Sequence, residues 1–289
     1  IDGDVVRIQD IGLRTSKGLN RDQISIIIPV LNEETCIGKL LEHLLVNSSA
    51  KNISEIIVVD GGSSDNTINI VKAFSNFTRI DNKEAFSYID NKNLGNKSVS
   101  TEVSKTPINI LDSEKGRAKQ MNLGVKSATG DILYFLHADS LPPKCFDTLI
   151  IKEVEKGNQA GCFRMQFESK HWWLRLASWL TKFRWRACRG GDQSQFITRM
   201  LFKDIDGFDE NYIIYEDNIL INELYARKQF VVINKKLKSS ARMYRKHGVW
   251  KLQYFYWSIY VKKWFGADSD ALYDYYKKKI RFALIFNIT

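Results

Sequence analysis

The strongest constraint on this chain is a pair of short, β-branched apolar runs, each followed by a polar turn and then apolar residues at helical spacing. Ile24-Ser-Ile-Ile-Ile28 is closed by Pro29, and Ile37, Leu40, Leu41, Leu44 and Leu45 follow on one helical face with Asn32 as the expected cap. Glu55-Ile-Ile-Val-Val59 ends in Asp60-Gly61-Gly62, after which Ser63 or Ser64 is placed to cap a helix carrying Ile68, Val71 and Phe74. Strand, helix, strand, helix is the rhythm of a parallel sheet. It resumes at Ile108-Asn-Ile-Leu111, a helix with Ala118, Met121, Val125 and Ala128, and a fourth strand at Asp131 to Leu136. The expected fold is α/β, a doubly wound, mostly parallel sheet.

The rest of the chain departs from that rhythm. Residues 1–22 read as an irregular lead-in. Residues 78–107, rich in Asn, Lys, Ser and Asp, form an insertion too long for a simple connection. Past residue 140 the pattern becomes α+β. Ala160 to Phe167 alternates as a half-exposed strand, and 171–187 form an aromatic, basic helix. Ser194 to Thr198 is a further strand, and Asp206 to Asp209 a turn. A helix over Glu216 to Lys228 precedes a strand over Phe230 to Asn234. We expect one domain over 23–249, with halves at 23–140 and 141–249, and a helical appendage over 250–289.

Composition narrows the partners. Lys and Arg number 43 against 33 Asp and Glu, a net charge of +10, which favours anionic ligands or surfaces. Four widely spaced cysteines without a C-x-x-C pair argue for a reduced compartment and against a structural zinc. No apolar run is long enough to span a bilayer. The expected location is cytoplasmic, either free or at the inner face of the cell membrane.

Ligands of an open parallel sheet bind beyond the carboxyl ends of its strands. Here those ends carry Pro29 to Glu34, Asp60 to Asp65, Gly116-Arg117 and His137 to Asp139. Asp60 can accept from a base or ribose hydroxyl while Gly61 allows close backbone approach, or it can simply cap a turn. Asp139, at the tip of an apolar strand, needs a partner, and a hard cation is one. His137 is a ligand, a phosphate contact or a buried hydrogen-bonding imidazole. Glu216-Asp217 suit a helix N-terminus electrostatically and also suit a general base facing the sheet's mouth.

In combination these motifs resemble the family-2 glycosyltransferases: Ile26-Ile-Ile-Pro-Val-Leu-Asn-Glu-Glu34, Val59-Asp-Gly-Gly-Ser-Ser-Asp-Asn-Thr67, Lys115-Gly-Arg117, Gln120-Met-Asn122, Phe135-Leu-His-Ala-Asp139, Gly191-Asp-Gln193, Gly207-Phe208 and Glu216-Asp217. They are most similar to the bacterial subgroup accompanying radical-SAM or selenium-related (selenodomain) gene clusters, over about residues 24–250. The resemblance implies a GT-A fold, a nucleotide-diphosphate sugar donor (a UDP-sugar ahead of a GDP-sugar), Mg or Mn, and inversion at the anomeric carbon. It implies that Pro29, Asn32, Glu33, Asp60, Gly61, Arg117, His137 and Ala138 bind the donor and that Asp139 binds the metal. Asp217 would be the catalytic base, with Asp192, Gln193 and Glu216 around the acceptor or donor sugar. His137 departs from the family, standing where the first Asp of its D-x-D signature is expected. Arg242, Arg245 and His247 either close over the diphosphate or form a solvated basic surface.

Residues 170–189 and 250–265 combine tryptophans with cations. Each fits a bilayer interface, with a lipid-linked acceptor, or packing of the aromatic stripe inside the protein. A nucleic-acid partner is not expected, since no binding module accompanies the charge. The competing function is a degenerate nucleotide-sugar or lipid-binding protein on the same scaffold. A nucleotidyltransferase or dehydrogenase would need a glycine-rich loop where Pro29 to Glu34 stands.

Overall fold

The computed structural model describes residues 22–77, 106–190 and 193–285. The lead-in and most of the 78–107 insertion lie outside the described residues, as does Asp192.

Eight strands form one sheet in the order β3-β2-β1-β4-β7-β6-β8-β5. They are β1 (Ile24–Val30), β2 (Ile53–Asp60), β3 (Ile108–Asp112), β4 (Ile132–Phe135), β5 (Ser140–Leu141), β6 (Ala160–Phe167), β7 (Gln195–Thr198) and β8 (Val231–Ser239). β1 to β4 are mutually parallel, so their carboxyl ends share one edge. β7 is antiparallel to β4, pairing Gln195 with Phe135, and therefore begins at that same edge. β6 is antiparallel to β7 and parallel to β8, so the chain also leaves β6 and β8 there.

The β-branched runs make central strands because both faces are covered. Ile24, Ile26, Ile28 and Val30 point into a core with α1 (Ile37–Asn47), α2 (Thr67–Phe77) and α4 (Phe146–Glu155). Ile27, Ile57 and Val59 face α3 (Arg117–Ser127), α6 (Arg199–Asp204) and α7 (Glu216–Ala226). Each fully buried Ile, Leu or Val contributes roughly 1.5–3 kcal/mol. A third cluster joins the outer half of β6 to α5 (Trp172–Leu180), α8 (Arg242–His247), α9 (Val249–Trp264) and α10 (Ser269–Ile285) through Met165, Phe167, Leu174, Tyr244, Phe255 and Leu272.

Several expectations need correction. Pro29 does not close β1; the strand runs through it to Val30, with Pro29 in register with Val59. β6 is not half-exposed, because Ala160 to Phe163 are buried on both faces between β7 and β8. The aromatic helix stops at Leu180, and Arg186–Cys188 form a separate 3-10 turn. Asn32 caps no helix: α1 starts after Cys36 without a side-chain cap. Neither Ser63 nor Ser64 caps α2. Its first amide, that of Thr67, donates to Asp65 Oδ1 at 3.0 Å.

Candidate active site

The loops after β1 and β2 are laced together. Asn32, in the left-handed region at φ 57°, accepts from the Ser64 amide at 2.8 Å and donates its own amide to Ser63 Oγ at 2.9 Å. Asp60 is buried and accepts from the Gly62 and Ser63 amides at 3.2 and 2.9 Å and from the Ser63 hydroxyl at 2.5 Å. The Glu33 amide donates to Thr67 Oγ1 at 2.8 Å. Beneath them the buried Gln120 amide donates to the carbonyls of Val30 and Val59 at 2.9 and 2.8 Å. A Cβ on Gly61 would stand 3.1 Å from that amide group, so a larger residue there would press on the support of both strand ends. Pro29, Asn32, Glu33, Asp60 and Gly61 are thus brought to one place.

The loop after β4 reaches the same edge. Ala138 is buried and His137 half-buried, with the His137 carbonyl accepting from the Ser140 amide at 3.1 Å. The Asp139 carbonyl accepts from the Ser240 amide at 3.2 Å, which seats the start of α8 beside it. Arg242 then spans two strand ends, with Nη2 on Glu33 Oε1 and Nε 3.5 Å from Asp139 Oδ2. Its guanidinium is held even more firmly protonated than usual, chiefly by the Glu33 hydrogen bond. The basic helix divides at this point, because Arg245 turns to the Glu168 carbonyl at 3.3 Å. His247 sits near Lys246 and Lys251, and partial burial followed by these two cations lowers its pKa.

A second constellation is centred on Arg117, the first residue of α3. A cation at a helix N-terminus opposes the helix dipole. Two acids from the first turn of α7 compensate it: Arg117 Nε contacts Glu216 Oε1, and Nη2 lies 2.8 Å from Asp217 Oδ2. Glu216 is wholly buried and Asp217 nearly so. Burial pushes the Glu216 carboxyl above its ordinary value, against the attraction of Arg117 and with a smaller push from Asp217. Tyr215, just before them, has φ 77°, a strained conformation for a residue with a side chain and one often retained at functional turns.

A cavity of about 1000 Å³ opens beside these acids. Arg117, Asp217, Asn218 and Gln193 are among its polar lining, and Leu180, Phe255, Trp257, Ile259 and Val261 among its apolar lining. Tyr244, on the same helix as Arg242, also lines it. Gln193 is engaged inwardly, accepting from Arg189 at 2.8 Å and donating to the Cys188 carbonyl at 2.9 Å.

Sequence reasoning missed Asn218, Arg186 and Tyr260. Asn218 Oδ1 accepts from Arg186 Nη2 at 2.9 Å and from the Tyr260 hydroxyl at 3.3 Å. The available signal was the Asn directly after Glu216-Asp217; the two partners come from elements that sequence alone does not bring together.

Among the described residues no group of three His, Cys, Asp or Glu side chains is arranged as a metal site. The oxygens at the Arg242 cluster do fit a hard cation completed by a diphosphate. Asp139 supplies a carboxylate, and Glu33, whose Oε1 pairs with the same arginine, leaves its Oε2 buried without a hydrogen-bond partner.

Comparison with known proteins places this architecture. Glycosyltransferase AglE of Haloferax volcanii is 33% identical over 119 residues, covering 41% of this chain and 31% of that protein. An undecaprenyl-phosphate 4-deoxy-4-formamido-L-arabinose transferase of Proteus mirabilis is 26% identical over 160 residues, covering 54% of this chain and 41% of that one. The matched stretches thus span less than half the length of either relative. Among solved structures, S. aureus TarS 1-349 in complex with UDP-GlcNAc aligns with a TM-score of 0.53 at 18% identity, over 75% of this chain and 58% of that one. Mannosyltransferase PcManGT of Pyrobaculum calidifontis, with GDP-Man and Mn²⁺, aligns with a TM-score of 0.57 at 15% identity, over 88% and 68%. Both share the GT-A fold of this chain. The profile of Glycosyl transferase family 2 matches residues 25–104 and 104–205, well over half of the sequence, and the chain belongs to that family.

Proposed function

We propose that this protein is an inverting glycosyltransferase that moves a sugar from a nucleotide-diphosphate donor to an acceptor hydroxyl, with Asp217 as general base. The observation that carries the proposal is the Arg117 constellation, which fixes Asp217 at the wall of a large cavity and at the strand-end edge that also holds Asp60 and Asp139.

On this reading the laced loops take the base and ribose, with Asp60, Asn32 and Glu33 as the polar contacts and Pro29, Gly61, His137 and Ala138 shaping the floor. Asp139, with Glu33 beside it, would hold Mg or Mn, which when bound neutralises charge on the leaving diphosphate. Arg242 adds a cation of the chain's own at the same point, and Arg245 and His247 extend that basic helix. Asp217 accepts the proton of the acceptor hydroxyl as its oxygen attacks the anomeric carbon from the face opposite the diphosphate. Glu216 and Arg117 orient it, and Gln193 and Asn218 border the acceptor. The Mn²⁺ and the UDP- and GDP-linked sugars of the structural neighbours support the choice of donor and metal. The undecaprenyl-phosphate relative supports a lipid-linked acceptor met at the inner face of the cell membrane. The unit that performs this is residues 23–249, with the helices after 250 completing the acceptor side. The motif pattern further resembles that of the radical-SAM/selenodomain-associated subgroup, which supports placing it there.

The deciding experiment measures UDP- and GDP-sugar turnover with Mn²⁺ for the native protein and Asp217→Asn. A positioned base is worth roughly 10²–10⁴-fold, so turnover should fall by that factor while nucleotide affinity is retained. Equal turnover by Asp217→Asn would refute the assignment of the base. The second reading, a binding protein on a degenerate scaffold, is favoured by His137 in place of a carboxylate. Donor binding with no turnover by the native protein would establish it instead.

A further inference from the structure

All seven tryptophans of the chain fall within residues 169–191 and 240–267, and those two stretches hold twelve Lys and Arg and no Asp or Glu. Since the whole chain carries only +10, the remainder is slightly acidic. The structure brings the helices of the two stretches, α5 and α9, together, although Arg189 is buried and Arg242 turns to Glu33. On α9, Trp250, Tyr254, Trp257, Val261 and Trp264 recur at intervals of three and four and are all exposed, opposite the buried Leu252, Phe255 and Ile259. An ordinary surface helix would turn polar residues outward here. On α5, Trp172, Leu176 and Trp179 repeat the pattern. The two stripes meet, with the Trp250 ring 5.7 Å from Trp172 and 5.5 Å from Trp173, and Trp173 5.9 Å from Trp257. The outermost positions are nearly bare: Trp264 is 88% exposed, Phe265 86% and Tyr254 67%. Lys170, Arg175, Lys182, Lys251 and Lys262 are exposed among them.

We infer that this α5–α9 face docks in the interface of an anionic lipid bilayer. Tryptophan and tyrosine rings settle at headgroup depth while lysine and arginine pair with lipid phosphates, and the absence of acids within the two stretches limits repulsion there. Among the described residues no helix is long and apolar enough to cross a membrane, so contact of this kind is interfacial. Continuity with the cavity gives the docking a purpose. Trp257 and Val261 belong both to the exposed stripe and to the lining of the cavity that Asp217 also lines. A membrane-held acceptor could enter headgroup first along that wall. This last step rests on the proposed function, whereas the docking itself does not.

Because every tryptophan lies in the two stretches, intrinsic fluorescence reports on this face. The test is co-sedimentation with phosphatidylcholine vesicles, with and without 25 mol% phosphatidylglycerol, together with quenching of emission by brominated lipid. Anionic vesicles should pellet the native protein at low salt and quench its emission, and added salt should weaken the binding. Tyr254→Ser/Trp264→Ser/Phe265→Ser, which changes only bare side chains outside the cavity lining, should lower partitioning at least tenfold with Tm unchanged. Lys251→Gln/Lys262→Gln should reduce the anionic preference. No pelleting at low salt overturns the inference, as does pelleting that the triple variant leaves intact without quenching. A dimer in solution that the triple variant dissociates would assign the face to a second copy instead. Sugar turnover is scored separately on the same samples, so a protein that docks but transfers nothing refutes the proposed function and leaves the docking standing.

Discussion

At the scale of single residues, the site depends on acids kept where water is scarce. Glu216 illustrates the cost. Burial raises its carboxyl above the usual 4.5, so between that pH and the higher folded value the folded chain keeps a proton that the unfolded chain has released. Stability contributed by the protonated form is therefore full below about pH 4.5 and is lost as pH rises through the folded value. Glu216→Gln removes this titration. Its Tm should fall less steeply than that of the native protein as pH increases from 4.5, even though loss of the Arg117 pairing lowers it in absolute terms. Parallel Tm–pH curves would contradict this account. Placement was legible in the sequence where side chains stand at their own strand end, as Asp60 and Asp139 do. It was misread where a side chain bridges loops: Asn32 resembles a helix cap but accepts from Ser64, more than thirty residues away.

At the scale of elements, α3 matters most because it carries Arg117 and lies across β1 and β2. Gly124 permits that approach. A glycine inside a helix costs about 1 kcal/mol relative to alanine, so its presence here calls for a packing reason. A Cβ at this position would stand 2.5 Å from Ile27 Cγ2 and 3.2 Å from Val59 Cγ2, both on buried β-branched side chains with little room to move. Gly124→Ala should therefore be destabilising: overpacking of roughly 1–3 kcal/mol outweighs the propensity gain of about 1. Urea denaturation gives the sign, and a stabilised variant would mean that α3 can lift off the sheet at no cost. At the middle of α3, Asn122 exchanges hydrogen bonds with Phe208, at 2.8 Å to its carbonyl and 3.1 Å from its amide, which ties the helix to the second half of the chain. Sequence patterning revealed the elements buried on both faces and lost those shaped by irregular pairing. β8 was expected to stop at Asn234 but runs to Ser239, because the pairing steps from Phe163–Ile233 to Arg164–Lys236 and leaves two residues unmatched. That bulge throws Lys235 and Lys236 outward together and hides the alternation that resumes at Leu237.

At the scale of the whole molecule, the candidate donor site is built from segments more than 200 residues apart in sequence, since Glu33 and Arg242 meet across it. A ligand bound there would bridge the β1 and β2 loops, the turn after β4 and the start of α8, and so should stabilise the fold as a unit. Binding to the native state alone adds about 2.7 kcal/mol at a ligand concentration a hundredfold above Kd. With roughly 2–4 °C per kcal/mol for chains approaching this size, UDP near that concentration should raise Tm by about 5 °C or more. The increments should separate by residue. Mn²⁺ added with UDP should produce a further rise in the native protein, and Asp139→Asn should abolish that further rise while retaining most of the UDP effect. Asp60→Asn should do the opposite, weakening the response to UDP, because its carboxylate organises the loop that is proposed to meet the base and ribose. Asp217→Asn should respond to UDP and Mn²⁺ much as the native protein does, since its proposed part lies in the transfer step. A manganese increment that survives Asp139→Asn would move the cation away from the turn after β4, and with it the placement of the diphosphate between Asp139 and Arg242.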